Sequence, residues 1–363
     1  MRLSASGWSA PIRLTLFGFV LAALATVSVG QSTGSYPAPP QNNPASGQQT
    51  PNGASSTQAP TQPAPSQPAS SQPQPTAQAP TANDQGMFVF KKQVEEVVLH
   101  ATVLDADRHL VTGLTQSDFS VLQDGKPQTI TSFRQEDVPV AMGIVIDNSG
   151  SMRDKRQKVN DAVLDLIHAS NPQDQVFVVN FSKNYYLDQD FTSNVNLLQA
   201  ALHQVSSSGS TALYDAIVAS AVHLRNDSHV NKRVLLVITD GQDNMSQETL
   251  QQASHRLQQL NGPTLYAIGL VGGGLEGEGR NALEQLASET GGVAYFPETL
   301  DEVNNITRTV AHDIRSQYMI AYRPSNQNAR PGYQSVQVEA NAPGYGPLTV
   351  RTMNGYYPPE SGH

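Results

Sequence analysis

The sequence predicts an α/β protein built on a doubly wound, mostly parallel sheet, with further β strands before and after it in the chain. Three observations carry this. Apolar runs of strand length recur at 141–146, 176–181, 234–239 and 265–270, and segments with helical spacing separate them. Strands that are apolar throughout are covered on both faces, which is the pattern of a parallel sheet flanked by helices. Outside residues 136–315 the pattern changes to alternating strands separated by Pro, Gly and Asn turns.

The bulk numbers fit a heterogeneous chain. Its 363 residues allow two domains at about 100–200 residues each. Only 15% are charged and the mean hydropathy is −0.36, averages over very unlike segments. With no cysteine there is no disulfide, no thiolate metal site and no cysteine nucleophile. The net charge is −9, from 22 basic and 31 acidic residues, with no long basic run, which argues against a nucleic-acid partner.

Taken in order, residues 1–30 read as a secretory signal. Arg2 and Arg13 supply the positive start, 14–29 are apolar, and Ser28-Val29-Gly30 offers small residues for cleavage before Gln31. An uncleaved anchor fits the same residues and would be the chain's route to a membrane. No Cys follows, so this is not a lipoprotein signal. The expected location is exported: periplasmic, at the cell surface or secreted. Residues 31–86 are mostly Pro, Gln, Ala, Ser and Thr without any Leu, Ile, Val or Phe, and Asp84 is their one charge. Such a segment cannot bury enough apolar surface to offset its ordering entropy, so it predicts a disordered linker. Its reach would be roughly 170 Å as polyproline and about 40 Å as a flexible coil.

Residues 87–135 form an N-terminal β segment. Val97, Leu99, Ala101 and Val103 alternate as in a half-buried strand. Residues 119–122, Asp124-Gly125 and 130–133 read as a β-hairpin, with Pro127 at an edge or delaying the second strand. In the 136–315 domain, Val159, Ala162, Val163, Leu166 and Ile167 share one helical face. Leu213, Ile217, Ala221 and Leu224 share another, and Leu250, Ala253, Leu257 and Leu260 a third. A shorter strand is expected at 185–191 and another at 293–296. Thr299 and Glu302 predict a capping box for a last helix through Val303, Ile306, Val310 and Ile314. Residues 316–357 return to strands at 318–322, 335–340 and 348–352. They are expected to pack with 87–135 as one small β subdomain, in which Val336, Val338 and Val350 share a core with Val97, Leu99 and Phe133.

The chemistry gathers at strand ends. Asp147 ends one apolar run, Asp240 ends another, and Thr211 opens a helix. Binding crevices of open α/β sheets lie beyond the carboxyl ends of the strands, where strand order reverses. The Asp147-Xaa-Ser149-Xaa-Ser151 spacing turns alternate side chains the same way, and Gly150 is expected to permit the bend. Asp147, Ser149, Ser151, Thr211 and Asp240 are therefore expected to hold a divalent cation. Two carboxylates and three hydroxyls are hard oxygen donors, suited to Mg²⁺, Mn²⁺ or Ca²⁺ and not to zinc or copper. Two carboxylates only balance such an ion, which leaves it a Lewis acid with affinity for one more anionic ligand.

These residues resemble the metal-ion-dependent adhesion site of the von Willebrand factor A (vWA) domain, whose pattern is Asp-Xaa-Ser-Xaa-Ser, a distant Thr and then an Asp. The surrounding Ser-Thr-Ala-Leu-Tyr-Asp-Ala at 210–216 and Thr-Asp-Gly-Gln-Asp-Asn at 239–244 are similar as well. The likeness spans roughly residues 136–315, and the flanks resemble those of secreted bacterial vWA proteins of mostly unassigned function. It implies a Rossmann-like fold and Mg²⁺-dependent binding of a protein partner that presents an Asp or Glu carboxylate. In that family the Ser and Thr hydroxyls usually touch the metal, while the Asp groups can act through water.

The expected role is thus adhesion or assembly rather than catalysis. One rival is a metal-assisted hydrolase in which Asp147 or Asp240 acts on water; no base outside the ligand set stands out for it. Another is a structural envelope protein with a non-functional site. The glycine-rich 272–277 stretch lacks a nucleotide-loop lysine and reads as a rim loop. His100, His168, His203, His223, His229, His255 and His312 show no metal-ligand spacing, and most of them read as surface residues. Asp188, Asp190, Asp215 and Asp243 read as solvated neighbours of the site, and Tyr185 and Tyr186 as strand residues.

Overall fold

The computed structural model describes residues 96–135, 137–203, 207–270, 275, 277–325 and 332–359. The expected signal, the linker, the start of folded sequence near residue 87 and most of the 272–277 loop lie outside the described residues.

The elements run β1 (Val97–Leu104), β2 (Phe119–Gln123), β3 (Lys126–Gln128), β4 (Ile130–Arg134), β5 (Val140–Asp147), α1 (Arg156–His168), β6 (Gln175–Phe181), β7 (Tyr185–Thr192), α2 (Val195–His203), α3 (Leu213–Asp227), β8 (Lys232–Thr239), α4 (Leu250–Leu257), β9 (Thr264–Gly269), α5 (Glu278–Glu289), β10 (Ala294–Tyr295), α6 (Val303–Arg315), β11 (Tyr318–Tyr322), β12 (Gln334–Ala340), β13 (Thr349–Arg351) and β14 (Gly355–Tyr356). Among the described residues no helix is long and apolar enough to cross a membrane.

Six strands form the central sheet in the order β10-β9-β8-β5-β6-β7. All pairings are parallel except β6 with β7. The strand alternation sorts side chains between two cores. Met142, Ile144 and Ile146 face α1, α2 and α6 through Val163, Leu166, Leu198 and Val310. Ala141 and Val145 face α3, α4 and α5 through Ile217, Leu224, Leu257 and Leu283. Each fully buried aliphatic side chain is worth about 1.5–3 kcal/mol relative to exposure. Burial of both faces is what lets β5 be apolar along its whole length. Gly143 is required at its place, because a Cβ there would lie 2.4 Å from the Phe177 ring and 2.7 Å from Leu235.

The flanks form two four-stranded sheets, β13-β1-β11-β4 and β14-β12-β2-β3. Val97, Leu99, Val121, Tyr318, Ile320, Val336 and Val338 are buried in one core, with Phe133 and Val350 packed against it. Asp313 of α6 ties this unit to the central sheet. It accepts from Thr102 Oγ1 at 2.8 Å, Tyr266 OH at 2.9 Å and Arg351 Nη2 at 2.8 Å.

Several local expectations need correction. The Asp124-Gly125 turn does close a hairpin, and both residues have positive φ, 48° and 72°, as a tight two-residue turn requires. Its second strand is β3, with Pro127 opposite Leu122 at the edge of its sheet. Residues 130–134 cross instead to the other sheet and pair with β11. The segment at 185–192 has eight residues and is a mostly exposed antiparallel edge strand. The strand expected at 293–296 is only two residues long. Thr299 and Glu302 do not make a reciprocal box: the first turn is a 3-10 turn, and the Thr299 hydroxyl donates to the Glu302 carboxylate at 3.0 Å. A full capping box forms instead at Thr249 and Gln252, ahead of α4. Helix α2, with Leu198, Ala201 and Leu202 buried, was not anticipated.

Candidate metal centre

The strand order reverses between β5 and β8, so the ends of these two strands flank the crevice that such sheets use for binding. Asp147 is the last residue of β5 and Asp240 follows β8 directly. Both are wholly buried, and Ser149 and Thr211 are nearly so, while Ser151 is exposed.

Four of the five expected ligands form one hydrogen-bonded chain. The Ser149 N–H donates to Asp147 Oδ1 at 2.7 Å, the Ser149 and Ser151 hydroxyls are 3.1 Å apart, and Ser151 Oγ donates to Asp240 Oδ1 at 2.7 Å. Thr239 Oγ1 donates to Asp147 Oδ2 at 2.5 Å. Burial pushes the Asp147 carboxyl above its usual range; the Thr239 and Ser149 donors pull it back, and the neighbouring Asp240 charge adds to the rise.

Thr211 arrives on a separate loop, just before α3 rather than inside it. That loop lies against the Ser149–Ser151 turn: Gly150 N–H donates to Gly209 O at 3.2 Å and Ser208 N–H to Asn148 O at 2.9 Å. No hydrogen bond of the Thr211 hydroxyl is found among the described residues; the loop's contacts with the Ser149–Ser151 turn are what bring it to the site. Gly150 does not take a left-handed conformation, and a Cβ there would meet only Gly209 O at 4.0 Å. The bend therefore comes from the 3-10 turn at Gly150–Met152, anchored by the buried Met152, and not from glycine freedom.

The residues around the candidate ligands do more than the sequence suggested. Asn244 Oδ1 accepts the Thr211 N–H at 2.9 Å, and the Thr211 carbonyl accepts from Asn244 N–H at 2.9 Å and Met245 N–H at 3.2 Å. Asp243 Oδ1 accepts from Leu213 N–H at 2.8 Å and Tyr214 N–H at 3.3 Å, closing the first turn of α3. Asp215 accepts the Gln247 and Glu248 N–H groups at 3.0 and 2.8 Å. Asp243 thus braces the start of α3 next to Thr211, and Asp215 ties the 247–248 segment to α3, rather than standing as solvated neighbours. Asp188 accepts from Asn180, and Asp190 lies 2.9 Å from His223. His100 is also not a plain surface residue: it is half-buried, and burial beside Lys232 pushes its pKa down to about 3.

Two cations were missed. Arg156 is buried and donates to the Asp147 carbonyl at 3.2 Å, to Asn160 Oδ1 at 3.1 Å and to Asn180. Burial pushes its pKa down to about 10. Lys155 Nζ lies 2.5 Å from Asp240 Oδ2. Their signal in the sequence was only position, immediately before and at the start of α1.

The donor set fits a hard divalent ion. Among the described residues no three His, Cys, Asp or Glu side chains converge, so an ion here would depend on the hydroxyls as well as the carboxylates. Asp147, buried and, among the described residues, with neutral donors on its carboxylate oxygens, is the group that such an ion would relieve.

Residues 142–242 match the von Willebrand factor type A domain. The matched vWA stretch runs from β5 through the residues following Asp240, and all five candidate ligands lie inside it. No curated protein matches the sequence. Among solved structures, proximal thread matrix protein 1 from the mussel byssus is 19% identical, over 53% of this chain and 51% of that one, with a TM-score of 0.43. A further structure of the mussel protein has a zinc-occupied MIDAS motif. A von Willebrand factor type A protein from Catenulispora acidiphila is 13% identical over 75% of this chain and 76% of that one, TM-score 0.44. The PilB minor pilin from Streptococcus sanguinis is 15% identical over 50% and 63%, TM-score 0.42. The chain spans about half the length of the mussel proteins it matches.

Proposed function

We propose that this protein binds a protein partner through a divalent cation, with Mg²⁺ the favoured ion, held by Asp147, Ser149, Ser151, Thr211 and Asp240 as an intact metal-ion-dependent adhesion site. The observation that carries the reading is the unbroken chain from Asp147 through Ser149 and Ser151 to Asp240 across the β5–β8 switch point, with the Thr211 loop fastened alongside. When bound, the ion supplies a Lewis-acidic position, and an Asp or Glu carboxylate from the partner is the anionic ligand that suits it. The chain's own part is to hold the donors in place and to keep water from the two buried carboxylates.

Binding rather than turnover is the role that these neighbours favour. Among the described residues, the groups hydrogen-bonded to the two carboxylates are Ser149, Ser151, Thr239 and Lys155, each a donor, and no imidazole is among them. An adhesion or assembly role outside the cytoplasm is consistent with the signal-like residues 1–30 and the proline-rich 31–86, which would carry the vWA face away from an envelope.

The experiment is a pull-down from the native envelope in Mg²⁺ and in EDTA, with Asp147→Ala as control. A partner retained only in Mg²⁺ and only by the wild type is the expected result. The affinity of that partner should fall when its contact carboxylate is changed to the amide. A partner held equally in EDTA, or an amide variant bound as tightly as the acid, would sink the proposal.

A further inference from the structure

Lys155 occupies the last position before α1, four residues after Ser151. Its backbone is fixed at both ends: its N–H donates to Met152 O at 3.0 Å, and its carbonyl accepts the Val159 N–H at 3.1 Å. From that frame the ammonium reaches Asp240 Oδ2 at 2.5 Å, with the lysine side chain 17% exposed and the carboxylate 0% exposed. The other oxygen of Asp240 takes the Ser151 hydroxyl. One of the two carboxylates of the site therefore already faces a full positive charge that belongs to the chain itself.

We propose that Lys155 is a resident cation that competes with the divalent ion for Asp240 and so sets the metal affinity of the site. This rests on the reading of the site as a metal centre. The physical reason is charge. Two carboxylates neutralise one divalent ion, but Lys155 sits on Asp240 and the buried Arg156 lies beside Asp147, so the site offers an ion less than two net negative charges. An arriving ion must either displace the ammonium or share the carboxylate with it, and in a buried site both are costly because charges there are poorly screened. A protein built this way holds its ion weakly until an outside carboxylate restores the missing negative charge. Metal and partner then bind as linked events, each raising the affinity for the other by the same factor. The partner class follows: it brings an acid group, because that group replaces the charge that Lys155 neutralises.

The test uses the full chain with no partner present. MgCl₂ is titrated calorimetrically into the wild type, Lys155→Met and Lys155→Arg. Methionine keeps an unbranched apolar stem without the charge, and arginine keeps the charge. Lys155→Met should bind Mg²⁺ about tenfold more tightly, the equivalent of about 1.4 kcal/mol, while Lys155→Arg stays close to the wild type. In EDTA, Lys155→Met should melt lower than the wild type, because Asp240 has lost its counter-charge, and added Mg²⁺ should close that gap. If Lys155→Met does not fold in EDTA, Lys155→Gln gives the same comparison. Equal or weaker Mg²⁺ binding by the neutral variants overturns the inference and leaves the metal centre standing. An absence of Mg²⁺ binding by wild type and variants alike overturns both.

Discussion

Asn244 and Thr211 exchange hydrogen bonds in both directions: the Asn244 side-chain carbonyl takes the Thr211 N–H at 2.9 Å, and the Thr211 carbonyl takes the Asn244 N–H at 2.9 Å. The loop that leaves Asp240 thereby fixes a donor delivered from another part of the chain. Asn244→Ala should loosen Thr211 without touching a ligand. Residues that orient metal ligands typically cost about 10–100-fold in metal affinity when removed, and a loss of that order is expected in Mg²⁺ titration, with the circular dichroism of the fold unchanged. Undiminished affinity would mean that the backbone contacts of the Thr211 loop hold it without the Asn244 side chain.

Metal binding should stabilise the fold. An ion that binds only the folded state adds about 2.7 kcal/mol at a hundredfold excess over Kd. The melting temperature of the wild type should rise with Mg²⁺ and fall back in EDTA, whereas Asp147→Ala should show neither response. A wild-type melting curve indifferent to both would count against the site.

Lys232 gives the stability a specific pH dependence. It is buried at the start of β8 and donates to the Ile314 carbonyl. Burial, with some help from Arg315, pushes its pKa from 10.5 down to about 8. Between pH 8 and 10.5 the unfolded chain therefore holds a proton that the folded chain has released. Stability contributed by this group rises with pH across that window and is constant below it. The urea midpoint of the wild type minus that of Lys232→Gln, followed from pH 7 to 10.5, should climb above pH 8. A flat difference would show that the ammonium is solvated.

Ending the chain after Ser316 should damage the N-terminal strands before the central sheet. β11 lies between β1 and β4, and its Tyr318, Ile320 and Tyr322 are wholly buried. Hydrogen exchange should show the amides of Val97–Leu104 losing protection while those of β5 and β8 keep it. Unchanged protection at Val97–Leu104 would mean that β1 is held without its neighbour.

The parts legible in the sequence are those where one local pattern decides the outcome. β5 and β8 are apolar throughout because both faces are covered, and Val159 to Ile167 show helical spacing because one face is buried. The doubly wound class follows from such segments. The hairpin partner of β2 was misjudged because β3 carries Lys126, Pro127 and Gln128, which have little apolar signal, while Ile130 and Phe133 have a strong one and serve another sheet. Helix α2 escaped because its start at Val195 follows directly on a strand and its polar residues interrupt the stripe. At the site, Asp147, Ser149, Ser151, Thr211 and Asp240 stand out by chemistry and position. Lys155 and Asn244 did not, because their importance lies in contacts across the fold that spacing does not encode.

Arg134 and Met319 face each other across the β4–β11 pairing. Everything from Gln135 to Gln317, the central sheet and the candidate site included, thus departs from and returns to adjoining backbone positions. The α/β domain is an insert in a β framework whose strands close around it. The two parts are not independent, because Asp313 of α6 holds Thr102 and Arg351 of the framework, and Thr290 and Gln259 bridge to Met353 and Tyr357. Strain at one part is thereby felt at the other, since a shift of α6 moves the carboxylate on which both Tyr266 of the central sheet and Thr102 of β1 depend.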